Sequence, residues 1–223
     1  MRGIETRIQD IRHRVFTEVA KMAYQKDAPV EKQMEKIPYE IIPGDVANFR
    51  NDVFLERAIV GERVRLAMGL PCRDAGNQAP ISEDVDAADR PETYYTPPLI
   101  NIIKFACNAC PEKRLIVTEG CMGCLAHPCM EVCPKDAVHL DRTIGKASID
   151  QDKCIKCGRC ANACSYNAII TQERPCAAAC GMDAIHSDSQ GKAEIDYDKC
   201  VSCGMCLVNC PFGAISDKSQ IFQ

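Results

Sequence analysis

The sequence predicts an α+β fold, and three observations lead to it. Cys154-x2-Cys157-x2-Cys160-x3-Cys164 recurs at the same spacing as Cys200-x2-Cys203-x2-Cys206-x3-Cys210. The chain around those runs is duplicated, with short β-branched segments between them. Ahead of them, residues 4 to 23 carry Ile4, Ile8, Ile11, Val15, Val19 and Met22 at steps of four and three, one stripe of a helix.

Along that first stripe, Arg7, Asp10, Arg14, Glu18 and Lys21 fall on the opposite face, which fits a helix docked by its apolar side. Pro29, Pro38 and Pro43 interrupt the next stretch, which reads as an extended connector with an edge strand. A second helix starts at a cap offered by Asn51 or Asp52, runs through Phe54, Ala58, Gly61, Val64 and Met68, and stops at Gly69 and Pro71. From Asp74 to Pro98 the composition is acidic and rich in proline, a linker. The expected organisation is a helical region over 1–73, the linker over 74–98 and the cysteine-rich domain over 99–223. In that domain Leu99 to Phe105 and Lys113 to Thr118 read as short strands, each leading into cysteines.

The chain has 17 cysteines, all but Cys72 between Cys107 and Cys210, so the two halves differ chemically. Disulfides suit secreted chains, but the N-terminus MRGIETRIQDIRHRV has no apolar signal core. Zinc sites use separated C-x2-C pairs, whereas triplets followed by a fourth cysteine are the bacterial ferredoxin run around an iron–sulfur cube. Three thiolates of such a run hold one cube and the fourth holds a neighbour, so each run demands a second.

The duplication supplies the partners. At an offset of 46, 14 of 26 positions match between 145–170 and 191–216, which is too many for chance. At an offset of 47, Cys129 and Cys133 fall on Cys176 and Cys180. The predicted fold is therefore two bacterial-type 2[4Fe-4S] ferredoxin modules, the first over about 111–170 and the second over about 171–217. The first has its leading run in Cys121, Cys124, Cys129 and Cys133; the positions matching Cys121 and Cys124 in the second are Ala168 and Thr171. Cys107 and Cys110 carry the missing C-x2-C spacing, and residues 111–120 can span roughly 35 Å when extended.

Crossing the fourth ligands then gives four [4Fe-4S] clusters: Cys121, Cys124, Cys129 and Cys164; Cys154, Cys157, Cys160 and Cys133; Cys107, Cys110, Cys176 and Cys210; and Cys200, Cys203, Cys206 and Cys180. Cys72 is left over and reads as an inert thiol, with a redox-active or replacement ligand as the alternative. The alternative for Cys107 and Cys110 is a pair of free thiols or a zinc site. His127 lies among these cysteines and reads as a neighbour of the ligands, while His139 and His186, at equivalent repeat positions, read as packing residues.

No apolar run is long enough to span a membrane, and a reduced, cytoplasmic, soluble protein of an anaerobe is expected. The formal charge is -4, and each cube with its thiolates adds about two negative charges, so nucleic acid is not an expected partner. No G-x-G-x-x-G follows a strand, so no nucleotide site is expected. A cube with four cysteines offers no open iron, which leaves electron transfer and no catalytic residues.

The order C-N-A-C-P-E-K, C-x2-C-x4-C-x3-C-P-K-D-A, D-K-C-x2-C-G-x-C, R-P-C-x3-C and then D-K-C-x2-C-G-x-C-x3-C-P-F-G-A-I-S-D-K-S-Q-I resembles the N-terminal accessory module of group B [FeFe]-hydrogenases, over nearly the whole length. The resemblance implies an electron relay to or from a hydrogenase domain or subunit, with that domain or another redox protein as partner. An iron–sulfur subunit of another oxidoreductase of the formate dehydrogenase type, a free polyferredoxin, and a structural zinc-binding interaction module are the other readings.

Overall fold

The computed structural model describes residues 5–25, 28–74, 76, 78–93 and 95–223. Ile4, at the head of the first stripe, lies outside them. The chain forms two compact units, Met1–Ala109 with Pro175–Gln223, and Cys110–Arg174.

The first unit begins with three helices. Helix α1 (Arg7–Tyr24) opens with a capping box, in which Thr6 Oγ1 accepts the Gln9 N–H at 3.4 Å and Gln9 Oε1 accepts the Thr6 N–H at 2.8 Å. Its stripe buries Val15, Val19 and Met22. Helix α2 (Val30–Ile41) occupies the stretch expected to be an extended connector. Met34, Ile37 and Ile41 are buried there at helical spacing, and Pro38 sits inside the helix, buried beside them. The apolar stripe outweighs the proline, whose missing N–H and ring clash weaken the helix but do not prevent it when that face is packed.

Helix α3 (Val53–Ala67) is capped by Asp52, whose side chain accepts the N–H of Phe54 at 2.6 Å and of Leu55 at 3.3 Å. Residues 59–67 are buried on every side. Val60, Val64 and Ala67 join the core with α1 and α2, while Ile59 and Leu66 join a second core with Ile100, Ile103 and Cys107. That sharing places the helices in one unit with the later cysteines, where a boundary near residue 98 was expected. The acidic stretch expected as a linker forms 3-10 turns at Val85–Asp89 and Pro91–Thr93, and Ile81 and Ala88 are buried in the helical core.

Being enclosed, α3 buries ionisable side chains, which are answered by backbone groups and by one ion pair. Glu56 Oε1 accepts the N–H groups of Asn48, Phe49 and Arg50 at 2.8, 2.6 and 2.7 Å. Glu62 pairs with Arg73 at 2.8 Å, and Arg65 donates to the carbonyls of Pro71, Ile81 and Glu83.

Strand β1 (Ile100–Ile102) ends this segment, and the chain passes into the second unit. There β2 (Arg114–Val117), α4 (Pro128–Glu131), β3 (Val138–Asp141), β4 (Lys146–Ile149), α5 (Arg159–Ala163) and β5 (Ile169–Gln172) follow in order. Strands β3 and β4 form a hairpin with Val138 opposite Ile149, and β2 pairs antiparallel with β5, Val117 opposite Ile169. Helix α4 packs on α5.

The chain then re-enters the first unit as α6 (Pro175–Ala178), β6 (Ile185–Ser187), β7 (Ala193–Ile195), α7 (Met205–Asn209) and β8 (Ile215–Asp217). Strands β6 and β7 form a hairpin, α6 packs on α7, and β8 pairs antiparallel with β1, Ile215 opposite Ile102. The two units thus repeat one plan, a hairpin, two short helices and a pair of terminal strands. In the first unit that plan is interrupted after Ala109 by the whole of the second.

Replacing Glu56 by Ala leaves three backbone N–H groups without their charged acceptor and should destabilise the fold by about 3 kcal/mol. The check is the denaturant midpoint of the holoprotein, which should fall with an unchanged slope, and Glu56→Gln should fall less.

Candidate functional site

In the second unit, Cys121, Cys124, Cys129 and Cys164 line a single cavity with about 440 Å³ of atom-free space, its open mouth included. His127, Leu140, Ala147 and Ile169 complete its wall. In the first unit, Cys180, Cys200, Cys203 and Cys206 line another, of about 350 Å³, walled by Ile100, Ile185 and Ile195. Each set takes one cysteine from a different run.

The remaining cysteines gather in the two apolar cores. Cys133, Cys154 and Cys160 pack with Leu115, Val138 and Ile149, while Cys157, in the same loop, is exposed. Cys107, Cys176 and Cys210 are buried in the core of the first unit, at 9, 5 and 7 % exposure. Cys110 is the residue at which the chain enters the second unit.

Backbone N–H groups are aimed at the sulfurs. Ala137, Ala168 and Ala184 donate to the Sγ of Cys133, Cys164 and Cys180 at 3.2, 3.3 and 3.4 Å. In each case the residue just before the alanine has a positive φ: Asp136, Asn167 and Asp183. Gly213 holds the same conformation after Cys210. These are residue types that tolerate the left-handed region, and the turn rotates the next amide toward the thiolate. The recurring tetrad after each fourth cysteine, Pro-Lys-Asp-Ala, Ser-Tyr-Asn-Ala, Gly-Met-Asp-Ala and Pro-Phe-Gly-Ala, is the sequence signal for this device.

A second pair of amides relates the split run to the intact one. Ala147 on β4 donates to Cys121 Sγ at 3.4 Å, and Ala193, its counterpart on β7, donates to Cys107 Sγ at 3.4 Å. A Cβ on Gly123 would meet the Gly145 carbonyl oxygen at 2.1 Å, and Ala109, at the matching place, lies 3.3 Å from a Cβ built on Gly191. Cys107 therefore stands against the β6–β7 hairpin as Cys121 stands against the β3–β4 hairpin.

Burial pushes Cys206 up to about 11, with Cys200 and Cys180 adding to the shift. Burial likewise raises Cys129, reinforced by Cys121 and Cys164, and Cys160, reinforced by Cys154 and Cys133. At Cys133 burial acts in the same sense, but the N–H groups of Lys135, Ala137 and Val138 outweigh it and hold the thiol below its ordinary value. Clustered thiolates in apolar surroundings need positive charge in their midst, and iron supplies it. The donor set, four sulfurs about an apolar cavity with amides turned toward them, fits an iron–sulfur cube.

Other side chains take quieter places. Cys72 packs in the core of the first unit, where burial, helped by Glu62, pushes its pKa up to about 12 and keeps it a thiol. His139 and His186, expected to pack, are exposed on β3 and β6 and stand opposite Ser148 and Glu194. No helix among the described residues is long and apolar enough to cross a membrane.

Comparison with known proteins agrees with this chemistry. A 4Fe-4S binding domain family matches residues 146–169 and 192–215. An uncharacterised ferredoxin of Methanocaldococcus jannaschii is 40% identical over 67 residues, 28% of this chain and 43% of that protein, so the match spans less than half of that relative's length. The formate dehydrogenase iron–sulfur subunit of Wolinella succinogenes is 42% identical over 57 residues, 26% of this chain and 27% of the subunit. A ferredoxin of Alicyclobacillus acidocaldarius is 40% identical over 58 residues, 26% of this chain but 72% of that ferredoxin. The chain belongs to the ferredoxin family of [4Fe-4S] proteins.

Proposed function

We propose that this chain relays single electrons through four [4Fe-4S] clusters, as an accessory module or subunit of an [FeFe]-hydrogenase-type enzyme. The observation that carries the relay is the pair of cavities, each lined by three cysteines of one run and one of another. A [4Fe-4S] cube held by four thiolates takes up and returns one electron. The alanine amides that meet Cys107, Cys121, Cys133, Cys164 and Cys180 spread the negative charge of the sulfurs, and the largely apolar walls of the cavities limit water. Cys157 and Cys203, the exposed middle cysteines of their runs, mark the places where electrons would enter or leave.

The third set, Cys107, Cys110, Cys176 and Cys210, is supported by the matched contacts of Cys107 and Cys121 with their hairpins. The hydrogenase assignment rests on the cysteine order and the flanking motifs. A second reading, an iron–sulfur subunit of a formate dehydrogenase or related oxidoreductase, is favoured by the Wolinella succinogenes subunit. The two differ in which activity travels with the native chain: hydrogen-dependent viologen reduction should co-purify with it, and formate-dependent reduction in its place would move the assignment to the second reading.

Cys107→Ser and Cys176→Ser should each remove one cluster's worth of iron and the same EPR signal. If Cys107→Ser instead erases the signal lost in Cys121→Ser, the crossed assignment fails. Zinc in place of iron would show as a colourless protein that dithionite does not change.

Gly123→Ala places a Cβ against the Gly145 carbonyl at a φ of +60°. The loop of Cys121 and Cys124 must then shift, and iron content should drop by one cluster while the signal dependent on Cys203 persists.

A further inference from the structure

In the first unit, two arginines converge on the backbone flanking Cys107 and Cys210. Arg50 Nη2 donates to the Ala106 carbonyl at 3.1 Å and to the Phe212 carbonyl at 3.0 Å, tying together the segments that carry the two cysteines. Arg63 reaches from α3, 6 % exposed, and its Nη2 donates to the Gly213 carbonyl. Its Nη1 is buried with no hydrogen-bond partner among the described residues. Burial lowers Arg63 to about 10, with Arg12 adding to the fall, while Cys210 and Asp217 oppose it. The group still carries its charge at neutral pH. Asp217 is engaged by Arg12 at 2.5 Å, and Arg63 stands against Gly213, three residues after Cys210 in the same loop.

The duplication provides an internal comparison. Tyr166 and Asn167, the counterparts of Phe212 and Gly213, are exposed, and among the described residues no arginine donates to them. The chain is also fitted to the cation: a Cβ on Gly213 would stand 2.9 Å from Arg63 Nη2 and 2.9 Å from Ile8 Cγ2. Of the four positive-φ residues that follow a fourth cysteine, three are Asp or Asn, and the glycine stands where Arg63 descends.

We propose that Arg63, supported by Arg50, is a potential-setting residue, which raises the reduction potential of the cluster bound through Cys107, Cys176 and Cys210 above that of its counterpart at Cys121, Cys129 and Cys164. Reduction adds one negative charge to the cube, and a buried guanidinium beside the Cys210 end favours that state, a charge effect on potential that burial does not screen. This rests on the cluster reading above.

The test is an EPR-monitored redox titration of the holoprotein, with Cys176→Ser identifying the signal of this cluster. Arg63→Gln should lower its midpoint by about 59 mV or more, a tenfold shift in the reduced-to-oxidised ratio for a one-electron couple. Iron content and the other midpoints should hold, and Arg63→Lys should restore most of the potential. Arg50→Gln should shift the same signal in the same direction by less. An unchanged midpoint at full iron content, or an equal shift of every cluster, overturns the proposal. If Arg63→Gln does not fold, Arg50→Gln decides it, with no shift counting against. If Cys176→Ser removes neither iron nor signal, the cluster reading fails first, separately from the role of the arginines.

Discussion

The constraint on which this molecule depends is electrostatic: cysteine sulfurs are held close together in apolar surroundings, where burial first and neighbouring sulfurs second oppose the ionisation of Cys206 and Cys160. The chain answers with two devices, inward-turned amides and cysteine-lined cavities that fit an iron–sulfur cube. Much of the irregular backbone in the cysteine loops follows from the first. The positive φ values at Asp136, Asn167 and Asp183 are local strain accepted so that the next N–H can point at sulfur. The strands and helices that flank the cysteines are short, from β1 and β2 to β8 and from α4 to α7, because their task is to hold loops in place.

Much of the site was legible because its geometry is written in local spacing. The C-x2-C-x2-C-x3-C runs, the offset repeat and the orphaned pair Cys107 and Cys110 can be read without any tertiary information. The αL positions were missed although a signal existed, since Asp, Asn and Gly recur at one place before alanine. In the fold, the stripe of α1 and the Asp52 cap of α3 were readable. Helix α2 is not, because Pro38 reads as a breaker while Met34, Ile37 and Ile41 already describe a buried face.

The buried charges were the least legible. Glu56, Glu62, Arg63 and Arg65 on α3 look in sequence like the solvent side of an amphipathic helix. They are buried because α3 is packed on both sides, and their partners are the backbone of the loops that flank α3 at Asn48 to Arg50 and Pro71, the backbone of Ile81 and Gly213 farther along the chain, and the Arg73 side chain for Glu62. Only tertiary structure reveals such partners. The helical layer thereby supplies fixed charge as well as cover to the cysteines of its own unit.

The interrupted plan of the first unit bears on how the chain is made. Strand β1 emerges from the ribosome long before β8, its antiparallel partner, and the entire second unit lies between them. Closing so long a loop would oppose the pairing if the intervening chain were disordered. Within the second unit, however, Arg174 at its end donates to the carbonyl of Cys110 at its beginning, 3.2 Å away. Once that unit has folded its two ends are neighbours, and the excursion is no longer than a surface turn for the β1–β8 pair. Synthesis therefore completes the whole of the inner unit before the last strand of the outer one is made.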